Sequence, residues 1–327
     1  RPPYVDLAMA PLCESFLAAS ECNRMEPFDP LCDYVGEHCF LVQLEEFVAP
    51  EDIFSQYAYF SSYSDSWLRH ATQYVEMAVA RFELGPESHV IEVASNDGYL
   101  LQYFVEKRVP VLGIEPAANV AEAAREKGVP SEVRFFDVDC ARDLVAIGRQ
   151  ADLLIGNNVL AQVPDLKSFV RGMKLVLKPR GAITLEFPHL LRLMRENQFD
   201  TIYHEHFSYF SLISIDSFFR AEKLTVFDVE ELSTHGGSLR VFARHSEDDS
   251  RPKSEAVERL LGVEKEAGLD RLETYSAFSE QVKETKRRLL EFLIAAKRNG
   301  DRIAGYGAPG KGNTLLNYCG IRTDFLD

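Results

Sequence analysis

The stretch Val90-Ile-Glu-Val-Ala-Ser-Asn-Asp-Gly-Tyr99, followed by Val111-Leu-Gly-Ile-Glu-Pro116, decides the fold. An apolar strand runs into a tight polar turn and then into an amphipathic segment. A second apolar strand follows after the length of one crossover helix and ends in an acid. This is the layout of a βαβ nucleotide site. The turn brings backbone N–H groups to a ligand, and the acid, Glu115, accepts from ribose hydroxyls. The turn carries one glycine, Gly98, where a dinucleotide fingerprint has three. It makes no close pyrophosphate cradle, so a ligand with ribose and adenine but no phosphate, such as S-adenosylmethionine (SAM), fits better than NAD.

Outward from this unit, strands are expected at 89–94, 110–115, 132–136, 151–156 and 181–187. Helices fall between them at 99–107, 117–127, 140–148 and 165–177. The alternation predicts an α/β fold with a doubly wound, mostly parallel sheet and ligands at the C-terminal strand ends. After Phe187 comes a loop rich in histidine and aromatics (188–211), then a helix at 214–222. Strands at 224–231 and 238–245 follow, flanking Thr234-His-Gly-Gly237. Such an antiparallel ending departs from a dehydrogenase sheet. Upstream lie an amphipathic helix over 65–84 and the hydroxyl-rich run Tyr57-Ala-Tyr-Phe-Ser-Ser-Tyr-Ser64. Residues 1–50 read as a small irregular N-terminal module. Downstream, a linker at 246–253 and helices at 254–267 and 275–298 lead into a strand at 302–307. The glycine loop and helix start after it open a second Rossmann-like unit. Three units are expected: 1–50, 51–245 and 246–327. Both ends, at Arg1 and Asp327, read as cut from a longer product.

Hydrophobic residues make up 46% of the chain, enough for a substantial core, and the formal net charge of −15 disfavours nucleic acid and anionic membrane as partners. No apolar run is long enough to span a bilayer and no signal-peptide pattern is present, so a cytoplasmic protein is expected. The six cysteines are scattered, which suits reduced thiols rather than a disulfide framework.

Four places carry chemistry. The first is the strand-end set Glu92, Ser95, Asn96, Gly98, Glu115, Phe136 and Asn157, expected to hold a nucleoside. The competing reading is that these are ordinary polar residues capping helices. The second is Phe199-Asp-Thr-Ile-Tyr-His-Glu-His-Phe-Ser-Tyr209. If extended, it points His204 and His206 to one face and Glu205 to the other. An imidazole here suits a general base near neutral pH; a metal-binding pair or a buried structural histidine are the alternatives. The third is Thr234-His-Gly-Gly-Ser-Leu-Arg240, where His235 and Arg240 flank a turn that is either structural or a substrate contact. The fourth is Gly305-Tyr-Gly-Ala-Pro-Gly-Lys-Gly-Asn-Thr314, whose backbone N–H groups, Lys311 and helix start suit a diphosphate. Cys39, beside His38, is the remaining thiol of a Cys-x-x-Cys-like site, or else a buried free thiol.

Taken together, Ala10-Pro-Leu-Cys13 with Leu41-Val-Gln-Leu44, Tyr57-Ala-Tyr-Phe-Ser-Ser62, Glu92-Val-Ala-Ser-Asn-Asp-Gly98, Asn157-Asn-Val-Leu-Ala-Gln-Val-Pro164, Tyr203-His-Glu-His206, His235-Gly-Gly-Ser-Leu-Arg240 and Gly305 to Asn317 resemble the sugar C-methyltransferase family. The resemblance implies a sheet of the class I SAM methyltransferase type. It also implies methyl transfer from SAM to a ring carbon of a nucleotide-linked 4-keto-deoxysugar. By it, His206 is the base, Tyr203, Glu205 and Tyr57 line the reaction site, and Glu115 holds the cofactor ribose. His204, His235, Arg240, Lys311 and Asn313 are expected on the substrate side. The family carries zinc in an N-terminal module with two cysteine pairs. Here Gly36 stands where one cysteine is expected, leaving Cys39, so any zinc is confined to this module and short of ligands. Gln162 stands where relatives often have histidine. An O- or N-methyltransferase acting on a small metabolite, and a non-catalytic SAM-binding scaffold, remain as other readings.

Overall fold

The computed structural model describes residues 2–13, 17–21, 23–55, 59–307 and 309–327. The N-terminal module is more regular than its sequence suggests. β1 (Pro3–Ala10), β2 (Asp29–Val35) and β3 (Val42–Leu44) pair antiparallel. α1 (Pro50–Phe54) leads to α2 (Asp65–Phe82). The Ser64 hydroxyl caps α2 by accepting from the Trp67 N–H, and its apolar face buries Ala71, Tyr74, Val75 and Ala78.

The central sheet grows from two four-residue strands with every side chain buried, β4 (Val90–Val93) and β5 (Val111–Ile114), as strands covered on both faces must be. α3 (Leu101–Glu106) joins them. α4 (Ala118–Glu126), β6 (Ser131–Glu132), α5 (Val138–Ala146), β7 (Ala151–Asn157), α6 (Leu166–Val176) and β8 (Leu177–Pro188) follow. α7 (Leu190–Arg195), the short β9 (Ser208–Tyr209) and α8 (Leu212–Ala221) precede the hairpin of β10 (Leu224–Leu232) and β11 (Ser238–His245). The seven-stranded order is β10-β11-β8-β7-β4-β5-β6. β8, β7, β4, β5 and β6 run parallel, while β11 is antiparallel to both its neighbours. This is the sheet expected for the class I methyltransferase type.

Two expected strands differ. β6 stops at Glu132 because Phe135 and Phe136 leave the sheet for the cavity described below. Arg302–Gly307 forms no strand, since no partner strand lies beside it among the described residues. β9 leaves the large loop after β8 and pairs with β3, completing a four-stranded N-terminal sheet in the order β1-β2-β3-β9.

α9 (Glu255–Glu266), α10 (Leu272–Arg298) and α11 (Gly310–Cys319) finish the chain. Side chains of α5, α6, α8 and α9 cover one face of the central sheet, and those of α2 and α3 the other. A third apolar cluster joins the N-terminal sheet to α7, α10 and α11. Glu264 of α9 is fully buried. It accepts from the Leu212 and Ile213 N–H groups at the start of α8 and from His189 Nε2, at 2.7, 2.8 and 2.7 Å. Among the described residues, no helix is long and apolar enough to cross a membrane.

Candidate active site

A cavity of 480 Å³ opens where β4, β5, β7 and β8 end, a volume within the range of small-molecule sites. Its floor is built by the turn after β4. Asn96 and Gly98 there are left-handed, with φ 49° and 74°. A side chain on Gly98 would stand 3.0 Å from Val129 Cγ2, so the turn requires glycine on two counts. Glu115 leaves the end of β5 and borders the cavity. Its two oxygens each accept one backbone N–H, from Asn96 and from Ala117, both at 2.9 Å. A carboxylate has about four lone-pair sites, so each oxygen keeps capacity for a ribose hydroxyl. Burial pushes the Glu115 carboxyl up to about 7, the two N–H bonds opposing it.

Asn96 also ties the preceding segment down. Its Oδ1 accepts from the Ser61 N–H at 2.8 Å and its Nδ2 donates to the Tyr59 carbonyl at 3.1 Å. Lys127 adds a clasp, donating to the Ser62 hydroxyl and to Asp97. Phe136 packs edge-on to Phe169 along one wall. Asn157 lines the cavity with a buried Oδ1 that has no hydrogen-bond partner among the described residues.

At the opposite end stand Thr201, Tyr203, Glu205, His206, His235 and Lys311. The His206 ring lies 4.2 Å from that of Tyr203. Its Nδ1 donates to the Thr201 carbonyl at 3.0 Å, which leaves the lone pair on Nε2. Burial pushes His206 down to about 4, with His235 and Lys311 adding to the effect against the Thr201 bond. The ring is therefore neutral and able to accept a proton at neutral pH.

The structure thus brings Asn96, Glu115, Phe136, Asn157, Tyr203, Glu205, His206, His235 and Lys311 to one cavity. Other expected site residues sit elsewhere. Glu92 and Ser95 are buried behind the turn, Glu92 with its carboxyl pushed well up by burial. Gly98 acts through its backbone. His204 and Glu205 are reversed from the extended-strand expectation. A turn closed by the His206 N–H on the Tyr203 carbonyl (2.9 Å) puts Glu205 on the cavity. His204 is turned into the N-terminal module, where its Nε2 donates to the Pro30 carbonyl. Arg240 is buried between Glu186 and Glu230 over the Tyr74 ring, because both acids lie directly opposite it on the neighbouring strands. Asn313 faces Pro11 and Asn317 instead of the cavity. Tyr57 lies outside the described residues.

Trp67, which sequence reasoning passed over, also lines the cavity, as do Tyr59, Tyr99 and Asn158, these three all within stretches the sequence had singled out. The one signal was that Trp67 is the chain's single tryptophan, at a helix start. In the N-terminal module Cys39 is exposed. Among the described residues no three His, Cys, Asp or Glu side chains are grouped to hold a metal ion. The donors described do not fit a zinc site.

Three protein families match this chain: "Putative zinc binding domain" over residues 1–54, "Methyltransferase domain" over 67–228 and "C-methyltransferase C-terminal domain" over 233–327. C-methyltransferase NovU of Streptomyces niveus is 33% identical over 317 residues, covering 97% of this chain and 75% of that protein. A ubiquinone biosynthesis O-methyltransferase of Methylobacterium sp. (strain 4-46) is 31% identical over 109 residues, covering 31% of this chain and 43% of that protein. Among solved structures, magnesium protoporphyrin IX methyltransferase from Synechocystis PCC 6803 is similar at a TM-score of 0.44. It has 15% identity over 55% of this chain and 83% of that one.

Proposed function

This chain belongs to the SAM-dependent C-methyltransferase family, and from that premise we propose that it methylates a ring carbon of a nucleotide-linked 4-keto-deoxysugar. One observation carries the reading. A neutral imidazole, His206, has its tautomer set by Thr201 and borders the same cavity as a nucleoside-type donor set. The free acceptor capacity of Glu115, the unpartnered Asn157 Oδ1 and the Phe136 wall suit the ribose and adenosine of SAM. When bound, SAM supplies an electrophilic methyl group.

A saturated carbon does not attack a methyl group, so a carbanion equivalent must first be made. A neighbouring ketone makes the C–H acidic, and His206 Nε2 takes that proton. Tyr203 and Glu205 hold the base and the sugar in register. Lys311, in the first turn of α11, faces the diphosphate linker. On this reading the N-terminal unit braces the site, residues 51–245 carry the chemistry and residues 246–327 begin the nucleotide-sugar side. The enzyme works in the cytoplasm, where its donor is made.

The test is product NMR with ¹³C-methyl SAM and a panel of nucleotide-linked 4-keto-deoxysugars. A new C–CH₃ resonance is expected. An O–CH₃ or N–CH₃ signal overturns the C-methylation reading. His206→Asn is expected to bind S-adenosylhomocysteine normally and to lose about 10²–10⁴ in turnover. With saturating donor, the acid limb of wild-type turnover should fall near pH 4, where His206 gains its proton.

A further inference from the structure

The turn between β10 and β11 is built more tightly than a hairpin needs. Its middle residue, His235, has φ 51° and ψ 31°, a left-handed backbone that costs a non-glycine residue roughly 1–2 kcal/mol. Asn158, just past β7, is left-handed too, with φ 53°. Though 77 residues apart, their side chains meet on the cavity wall, Asn158 Nδ2 lying 3.3 Å from His235 Nε2.

Both are anchored on Glu186. The Asn158 N–H donates to the Glu186 carbonyl at 2.7 Å, and the Thr234 hydroxyl donates to the Glu186 carboxylate at 2.8 Å. Burial works against ionisation of Glu186, but His70, Arg240 and Thr234 hold its carboxyl below the usual range. Gln198 grips the Gly236 carbonyl at 2.9 Å, and the His189 N–H grips that of Gly237 at 3.0 Å. The Trp67 ring, 5.2 Å away and edge-on, fixes the His235 plane. Strained residues persist where their surroundings over-determine them, and they concentrate at functional sites.

The hydrogen bonds set complementary tautomers. The Asn158 amide donates, so His235 Nε2 accepts and its proton sits on Nδ1. His206 has its Nδ1 proton on Thr201 and its lone pair on Nε2. One imidazole on the cavity accepts a proton and the other offers one. The two are close enough for the charge of one to bear on the other. Deprotonation beside a ketone sends negative charge to the carbonyl oxygen, which needs a donor in place beforehand.

We propose that His235, oriented by Asn158, donates its Nδ1–H to the substrate carbonyl oxygen while His206 Nε2 takes the proton from the adjacent carbon. The C–H electron pair becomes the new C=C bond, and the carbonyl π pair moves to oxygen. That oxygen stays hydrogen-bonded to His235, and the proton stays on His206. When the carbon later bonds to the transferred methyl, the S–CH₃ bond breaks with its electron pair left on sulfur, giving S-adenosylhomocysteine, the carbonyl re-forms and His206 releases its proton to solvent. The assignment rests on the C-methylation reading above.

Solvent exchange tests it apart from methyl transfer. The purified chain is incubated in D₂O with S-adenosylhomocysteine and dTDP-4-keto-6-deoxyglucose, then with the rest of the 4-keto panel. Deuterium entry beside the ketone is followed by NMR. His235→Phe is expected to slow exchange by about 10²–10³-fold with the sugar KM nearly unchanged. His235→Asn tolerates the left-handed backbone, keeps an amide donor and should recover at least tenfold of that loss. Asn158→Leu, which leaves the imidazole unoriented, should slow exchange about tenfold. S-adenosylhomocysteine binding serves as the folding control. If His235→Phe does not fold, Asn158→Leu decides, and wild-type exchange in it overturns the assignment. Equal exchange in His235→Phe and wild type overturns the His235 role alone. No exchange by wild type on any sugar defeats the C-methylation reading and this role with it.

Discussion

Replacing Glu115 by glutamine separates cofactor binding from stability. In the wild type each carboxylate oxygen accepts one backbone N–H at 2.9 Å. On the proposed reading the spare capacity meets the ribose hydroxyls, and hydrogen bonds to a charged group are worth about 1.5–3 kcal/mol. The amide group of Glu115→Gln can no longer accept on one side. S-adenosylhomocysteine should therefore bind about 10- to 150-fold more weakly. The same amide sets a donor against a buried N–H, at a cost of about 1–3 kcal/mol, but that cost falls on the free and bound protein alike and is absent from the affinity. Burial raises the wild-type carboxyl from its usual 4.5 to about 7. The folded state therefore holds a proton that the unfolded state has lost between those pH values. Apo stability is full below 4.5 and falls by about 3 kcal/mol as pH rises through 7. Glutamine escapes that loss, so near pH 8 the variant should unfold at much the same temperature as wild type while binding far less. Ribose binding favours the ionised form, so wild-type affinity should drop about tenfold from pH 8 to pH 6 and the variant should show no such slope. Isothermal calorimetry at both pH values, with thermal melts alongside, measures all three effects. A variant that binds within twofold of wild type, or a flat wild-type profile, refutes the ribose role of Glu115.

Gly98→Ala should destabilise the protein by about 2–4 kcal/mol, combining the left-handed backbone with overpacking against Val129 and Ala124. Urea denaturation checks it, and a change under about 1 kcal/mol would count against the turn geometry. Glu264→Ala should cost about 3–5 kcal/mol by stranding two helix N–H groups and His189. Urea denaturation measures this loss too, and the His189 N–H also holds the Gly237 carbonyl of the β10–β11 turn.

The sheet was legible because its central strands are apolar along their whole length, and β4 and β5 bury every residue. Glu115 was legible for a related reason, since an acid closing such a strand faces the ligand edge. Arg240 was misread because its partners come from strand register. Glu230 and Glu186 lie opposite it on β10 and β8, a pairing that no local spacing reveals. His204 was misread because alternation assumes an extended chain, whereas residues 203–206 form a turn. Trp67, Tyr59 and Asn158 reach the cavity from three separate segments. Only the folded chain brings them together.

The N-terminal module has a part in this arrangement through its main chain. β9 follows His206 by two residues and pairs with β3, while His204 donates to the Pro30 carbonyl of β2. The turn that aims His206 is therefore gripped by the module on both sides. The Phe207 N–H and carbonyl add two more ties, to the Ala161 carbonyl (2.7 Å) and the Leu44 N–H (3.0 Å). A base must be held to within a fraction of an ångström to work, and a loop as long as 188–211 has no such rigidity of its own. The sheet supplies it through main-chain bonds and one imidazole. On the proposed reading, loss of the β3–β9 pairing should release the base.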